Sequence, residues 1–150
     1  ARSHLWNAGL DYGHGTGHGV GAFLNVHEGP QRIAPRGADE PMKVGMIVSN
    51  EPGYYEPGWG GVRLENLYVV MTADGLPNHP DGKRWFRMDP LTLIPFDTSL
   101  IDWSEMSEAE KVWLLDYHQE VWNKISPMLD GDESRWLWGK CQLPGITISA

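Results

Sequence analysis

The sequence predicts an α+β protein, and three observations carry that reading. Up to about residue 98 the chain is rich in glycine and broken into short β-branched or apolar runs. Beyond Asp102, apolar residues instead recur at three- to four-residue spacing, the period of amphipathic helices. At 150 residues the chain is of one-domain size and long enough to bury a core. The organisation that follows is a β-rich part, residues 1–98, and a helical part, residues 99–150. No internal repeat or low-complexity segment interrupts either.

Residues 22–27 read as a short extended run, ended by the turn signal Glu28-Gly29-Pro30. Residues 31–41 mix charge, glycine and two prolines, which suits an exposed loop. Met46-Ile47-Val48 is apolar and β-branched, and Pro52-Gly53 stops it. Residues 62–72 read as one long strand whose run of Leu67 to Met71 is continuous enough to be buried on both faces. Residues 78–83 form a turn, and 91–94 a last strand ended by Pro95. In the second part, Ser107-Glu108-Ala109-Glu110 is a capping box, in which the serine accepts from the N3 amide while Glu110 reaches back. Val112, Trp113, Tyr117, Val121, Trp122 and Ile125 then mark one apolar stripe, and Pro127 ends the helix. Residues 129–132 make a loop and 133–138 a shorter helix, with Pro144-Gly145 as its latest stop.

Composition narrows the function. No apolar run approaches the roughly 20 residues that span a bilayer, and nothing resembles a signal peptide, so no membrane partner is expected. A net charge of −8 argues against a nucleic-acid surface, which normally carries a basic stripe. A single cysteine, Cys141, excludes an internal disulfide and fits a reducing, cytoplasmic setting. Trp103, Trp113, Trp122, Trp136 and Trp138 crowd the last third, where such anchors suit a packed or partner-covered surface.

The chemistry lies between His14 and Glu65, in HGTGHG, NVHEGP, SNEPGYY and GVRLEN. Imidazole nitrogen with paired carboxylates is the donor mixture for divalent Mn, Co or Zn, and two carboxylates brought together without a cation or shared proton repel. The pattern indicates a metallohydrolase. Glycines rule out reading His14 and His18 as a helical pair; they let backbone approach a metal or substrate closely. Alone, such a loop is more often a polar turn, and the accompanying glutamates are what alter the balance. Glu51 ends a strand beside a fixed turn, a rigid support for a ligand. Glu65 lies among Val62, Leu64 and Leu67, where an unpaired carboxylate is costly; a salt bridge within a sheet is the alternative. Arg63, two residues earlier, shares its strand face and can clamp a ligating carboxylate. Tyr54, Tyr55 and Trp59 either line a substrate pocket or simply pack. His4, His79 and His118 have no motif around them and read as surface or packing residues.

These motifs resemble the pita-bread metallopeptidases and, among them, the Xaa-Pro aminopeptidases, which remove an N-terminal residue preceding proline. The resemblance covers most of the chain, with five motifs in order at compatible spacing, and implies the C-terminal portion of a pita-bread fold with a helical C-terminal extension. It implies His18, Glu51 and Glu65 as metal ligands, with Glu65 bridging two divalent metals about 3.5–4 Å apart. Manganese is the expected metal, with cobalt or zinc as alternatives. It further implies Glu51 as proton shuttle, His14 and His27 as contacts to the substrate carbonyl, and a peptide with proline in second position as substrate. The extension implies a homodimer formed through the C-terminal region, although an amphipathic stripe more commonly packs on its own domain.

One departure is expected to matter. The family has five metal ligands, two of them aspartates well upstream of the first histidine motif, and the only Asp before His18 is Asp11. The chain therefore reads as the C-terminal piece of a larger enzyme, inactive alone. A prolidase or another pita-bread peptidase, and a non-catalytic binding module of the same fold, are the competing readings.

Overall fold

In a computed structural model, residues 1–77, 79–146 and 148–149 are described. They form two compact units, 1–92 and 93–150, so the division falls between Thr92 and Leu93, ahead of the change of period read near residue 98. The reason is local. Leu93 and Phe96 pack against the core of the second unit rather than pairing as a strand.

The first unit opens with a short helix α1 (Ser3–Asn7), then β1 (Gly17–His18) and β2 (Arg32–Ile33), which pair antiparallel with His18 opposite Arg32. Next comes β3 (Ile47–Asn50), whose Ile47 and Val48 supply the expected β-branched start. Strands β4 (Gly53–Glu56) and β5 (Gly60–Arg63) form a hairpin. Strands β6 (Asn66–Thr72) and β7 (Phe86–Pro90) complete an antiparallel sheet in the order β3-β6-β7. Its interior is Val48, Ser49, Asn66 and Val70, all buried. β1 lies along β3 through the pairing of Gly19 with Val48, and the Glu51 amide donates to the Thr16 carbonyl at 2.7 Å.

Several expectations change. Residues 22–27 are a turn rather than a strand: the Asn25 amide donates to the Ala22 carbonyl, with Phe23 and Leu24 at φ of 52° and 65°. The long strand expected over 62–72 is two strands in different sheets, broken at Leu64 and Glu65. Its first half follows the hairpin turn at Pro57-Gly58, a type II pattern with Gly58 at φ 79° and the Trp59 amide donating to Glu56. Consequently Val62 and Leu64 are exposed, and Glu65 does not sit in the apolar setting inferred from its neighbours. The last strand is β7, earlier than the expected 91–94. Asn78, the first residue of the expected turn, lies outside the described residues.

The second unit contains α2 (Glu108–Ile125) and α3 (Gly131–Cys141). Both arms of the Ser107–Glu110 capping box are present. The buried face of α2 is Leu114, Tyr117, His118 and Val121, so the stripe is rotated from the expected one and leaves Val112 and Trp113 exposed. α3 is longer than expected and takes in Gly131 and Asp132. Leu137, Cys141, Leu143 and Ile148 close the core, and burying each aliphatic side chain is worth about 1.5–3 kcal/mol. No helix among the described residues is long and apolar enough to cross a membrane.

Candidate metal centre

The antiparallel run of residues 16–19 beside 48–51 brings His18 and Glu51 together. It depends on Gly17, where an added Cβ would lie 2.0 Å from the Ser49 carbonyl oxygen. The His18 amide donates to the Ser49 hydroxyl at 3.0 Å, and that hydroxyl donates to Glu51 Oε1 at 3.4 Å. Ser49 is fully buried, so one side chain sets the register of both site residues.

His18 Nδ1 lies 2.9 Å from the Gly19 carbonyl, which can only accept; the ring proton therefore sits on Nδ1 and leaves a lone pair on Nε2. That nitrogen is 3.1 Å from Glu51 Oε1. A lone pair and a carboxylate oxygen at this distance repel unless a cation or a second ring proton lies between them. Fixing one imidazole nitrogen to a backbone carbonyl is also how metal-binding histidines are oriented. Glu65 completes the group: the candidate ligand atoms of His18, Glu51 and Glu65 all lie within 4.8 Å of one another. The donor set, one nitrogen and two carboxylates, fits a divalent cation.

Arg63 holds the acids. Its Nε is 3.4 Å from Glu65 Oε2 and 4.0 Å from Glu51 Oε2. Its pKa is raised first by hydrogen bonding to the Tyr55 hydroxyl and then by the charges around it, Glu65 and Glu51 included. Tyr55 in turn lies 3.0 Å from His14 Nε2, and His14 Nδ1 is 2.6 Å from the Gly15 carbonyl. By the same reasoning His14 carries its proton on Nδ1 and accepts from Tyr55 at Nε2, so both nitrogens are engaged. His27 differs. It is exposed, with its ring centroid 4.3 Å from that of His18, and among the described residues its nitrogens have no hydrogen-bond partner.

A cleft of about 750 Å³ opens over these groups, walled in part by His14, His18, His27, Glu51, Tyr55 and Arg63. Tyr54 does not belong to it. Alternation along β4 turns its hydroxyl to Glu56 at 2.6 Å, which raises the Tyr54 pKa. Trp59 lies exposed at the hairpin turn and is no part of the cleft wall either. Sequence reasoning missed Ser49, Thr16, Tyr12 and Arg2. Tyr12 and Thr16 are buried and share a 2.6 Å hydrogen bond, while Arg2 stacks 3.8 Å over the Tyr12 ring and bonds to Asp11. For Ser49 a signal existed, since it lies two residues before Glu51 on the same strand face.

Comparison with known proteins agrees with this geometry. Residues 1–72 match the model of metallopeptidase family M24, and residues 84–143 match that of the C-terminal region of peptidase M24. The chain is 53% identical over 142 residues to a probable Xaa-Pro aminopeptidase P of Coprinopsis cinerea, covering 93% of this chain and 23% of that protein. It is 54% identical over 140 residues to aminopeptidase P2 of Arabidopsis thaliana, covering 92% of this chain and 20% of that protein. The chain thus spans about a fifth of the length of these curated relatives. The crystal structure of an X-prolyl aminopeptidase from Caenorhabditis elegans, described as a cytosolic enzyme with a di-nuclear active site, superposes with a TM-score of 0.84 at 37% identity. That match covers 95% of this chain and 23% of the worm enzyme, and it establishes the α+β pita-bread fold. Two models of one family covering most of the sequence, together with relatives near half identity, lead to one assignment: the chain belongs to metallopeptidase family M24 and is similar, within it, to the Xaa-Pro aminopeptidases.

Proposed function

We propose that this chain contributes one side of a two-metal site that hydrolyses the bond between an N-terminal residue and a following proline. The observation that supports the reading above all is the convergence of His18, Glu51 and Glu65, with the lone pair of His18 facing a carboxylate. In this reading His18 and Glu51 would hold one metal and Glu65 would supply a carboxylate to both it and a second, with manganese as the resident ion and cobalt or zinc as alternatives. Bound there, such ions act as Lewis acids and bring the pKa of a shared water near neutrality.

The chain's own groups do the rest. Glu51 takes a proton from the attacking water and delivers it toward the proline nitrogen. His27, unengaged and beside His18, donates to the substrate carbonyl oxygen as negative charge develops there. His14 reaches the substrate only by giving up its bond from Tyr55, so in the arrangement described it positions Tyr55 and, through it, Arg63. Arg63 keeps both glutamates oriented. Residues 1–98 belong to the catalytic domain and 99–150 to the helical extension, through which two copies of the enzyme pair. The description of the worm enzyme supports a cytosolic location.

Calorimetric titration of the chain with Mn, alongside cleavage of an X-Pro-Pro peptide, tests this. With three ligands present, we expect one weakly held ion and no cleavage; two tightly held ions with turnover would show ligands beyond these three. Absence of any Mn binding would overturn the metal reading. Glu65→Gln replaces an anionic donor by a neutral amide and weakens Mn binding at least about tenfold. An unchanged affinity in that variant removes Glu65 from the site.

A further inference from the structure

We propose that an apolar groove on the helical unit, walled by Leu129 and Trp136 and rimmed by Asp132 and Glu133, docks a basic, apolar segment of a partner protein. This docking is separate from the metal chemistry and does not depend on it. Charge is shared unevenly between the two units. Residues 93–150 carry ten acidic and four basic side chains, so six of the eight excess negative charges lie there. Three of those four bases are already engaged: Lys111 with Glu108, Lys124 with Glu120, and Arg135 with Asp132. Glu133 is not satisfied in this way, and among the described residues it has no hydrogen-bonding or ion-pairing partner.

The groove follows from how α3 begins. A short 3-10 turn, Ser126–Met128, ends with the Leu129 amide donating to the Ser126 carbonyl at 3.2 Å, just ahead of the helix. Helix α3 then gives Leu137 and Cys141 to the core and packs Trp138 edge-on against Trp122, with ring centroids 4.9 Å apart. Trp136 lies about 100° around the helix from Leu137 and is left 62% exposed. Asp132 and Glu133 precede it by four and three residues and so share its side of the helix. With Leu129 they enclose about 510 Å³, and Met128 beside Leu129 is exposed too. The helix dipole accounts for acids in a first turn, but not for a large ring left in water beside them. Charge selects the occupant. An acidic segment, or a second copy of this unit, brings like charge to the groove, whereas a basic segment is drawn in by the field of the whole unit. Its Lys and Arg stems can lie along apolar surface while their heads meet the carboxylates, and the indole face attracts a cation directly.

The test is calorimetric titration of the chain with three acetylated peptide amides: Leu-Lys-Leu-Arg-Leu-Lys, Gly-Lys-Gly-Arg-Gly-Lys and Leu-Glu-Leu-Glu-Leu-Glu. The first is expected to bind, the second to bind at least about fivefold more weakly for want of apolar contact, and the third not to bind. In the W136Q/E133Q double variant the first peptide should bind about tenfold more weakly. Both positions are exposed, so that variant should keep the wild-type melting curve. Equal binding of the two basic peptides leaves only diffuse attraction and overturns the groove. Binding of the acidic peptide as tight as that of the first overturns the argument from charge. Affinity unchanged in the double variant overturns the assignment to Trp136 and Glu133, and failure of the first peptide to bind overturns the docking altogether. Self-association of the chain that the double variant abolishes makes a second copy the occupant and overturns the basic partner.

Discussion

Gly17 shows how closely the site depends on single atoms. Its backbone lies against the Ser49 carbonyl, and a methyl group there would stand 2.0 Å from that oxygen. Backbone cannot rotate away as a side chain can, so the strands carrying His18 and Glu51 must part. We expect Gly17→Ala to cost about 3 kcal/mol, read in a thermal melt as a fall in Tm of about 6–12 °C. Gly13→Ala, which meets nothing within 4 Å, is the control and should melt as the wild type does. A Gly17→Ala protein with unchanged Tm would mean the close approach is absent. At this scale the sequence was most informative where a residue sits in a dense motif: His18, Glu51, Glu65 and Arg63 converge as their motifs suggested. Arg2 and Tyr12 were illegible because their work is done through backbone carbonyls and ring faces, which leave no spacing to read. Tyr54 and Tyr55 would have been separable had β4 been recognised, since strand alternation sends one into the cleft and the other away.

Among elements, α2 was the most legible because its start is encoded in four consecutive residues. The Ser107 side chain and Glu110 satisfy amides that the first turn otherwise leaves without partners. Ser107→Ala removes one arm, and we expect a loss of about 1 kcal/mol, seen as a lower midpoint in urea with an unchanged slope. An unaltered midpoint would show that solvent substitutes for the cap without cost. The strands were harder to read. A run such as 62–72 is apolar enough for one strand, yet the Pro57-Gly58 turn commits its first residues to a hairpin with β4, and the sheet claims only the residues from Asn66 onward. That break is what gives Glu65 its freedom to meet His18 and Glu51. Residues 22–27 carry strand-like composition but close a tight turn over Gly21, whose amide donates to the Asn25 carbonyl. Short β elements are set by what pairs with them, and partners are not visible in a window of six residues.

For the molecule as a whole, pH sets two tendencies against each other. Lowering pH reduces a net charge of −8 and so relieves self-repulsion. His118 acts in the opposite direction. It is fully buried in the second unit, where the Phe96 amide donates to Nε2 at 3.0 Å and Nδ1 meets the Cys141 carbonyl at 3.1 Å. The carbonyl fixes the proton on Nδ1, so a second proton on Nε2 would face an N–H. Burial lowers the His118 pKa below its ordinary 6.5, more than the Cys141 carbonyl restores. The unfolded chain therefore takes up a proton that the folded chain refuses. Its contribution is intact above pH 6.5 and is lost as pH falls from there toward the lowered folded value, at about 1.4 kcal/mol per pH unit. The Cys141 thiol, pushed up to about 11 by burial, stays protonated across this window and adds nothing. Denaturant melts followed by tryptophan fluorescence, to which five of the eight tryptophans contribute from the second unit, should show lower stability at pH 5.5 than at pH 7.5. In His118→Gln, an amide can accept from Phe96 and donate to Cys141 without titrating, so that loss should disappear and the charge term should leave stability level or slightly higher in acid. An equal change in stability between the two pH values in the wild type and in His118→Gln would mean that the imidazole is protonated within the fold and that its bond from Phe96 is not kept.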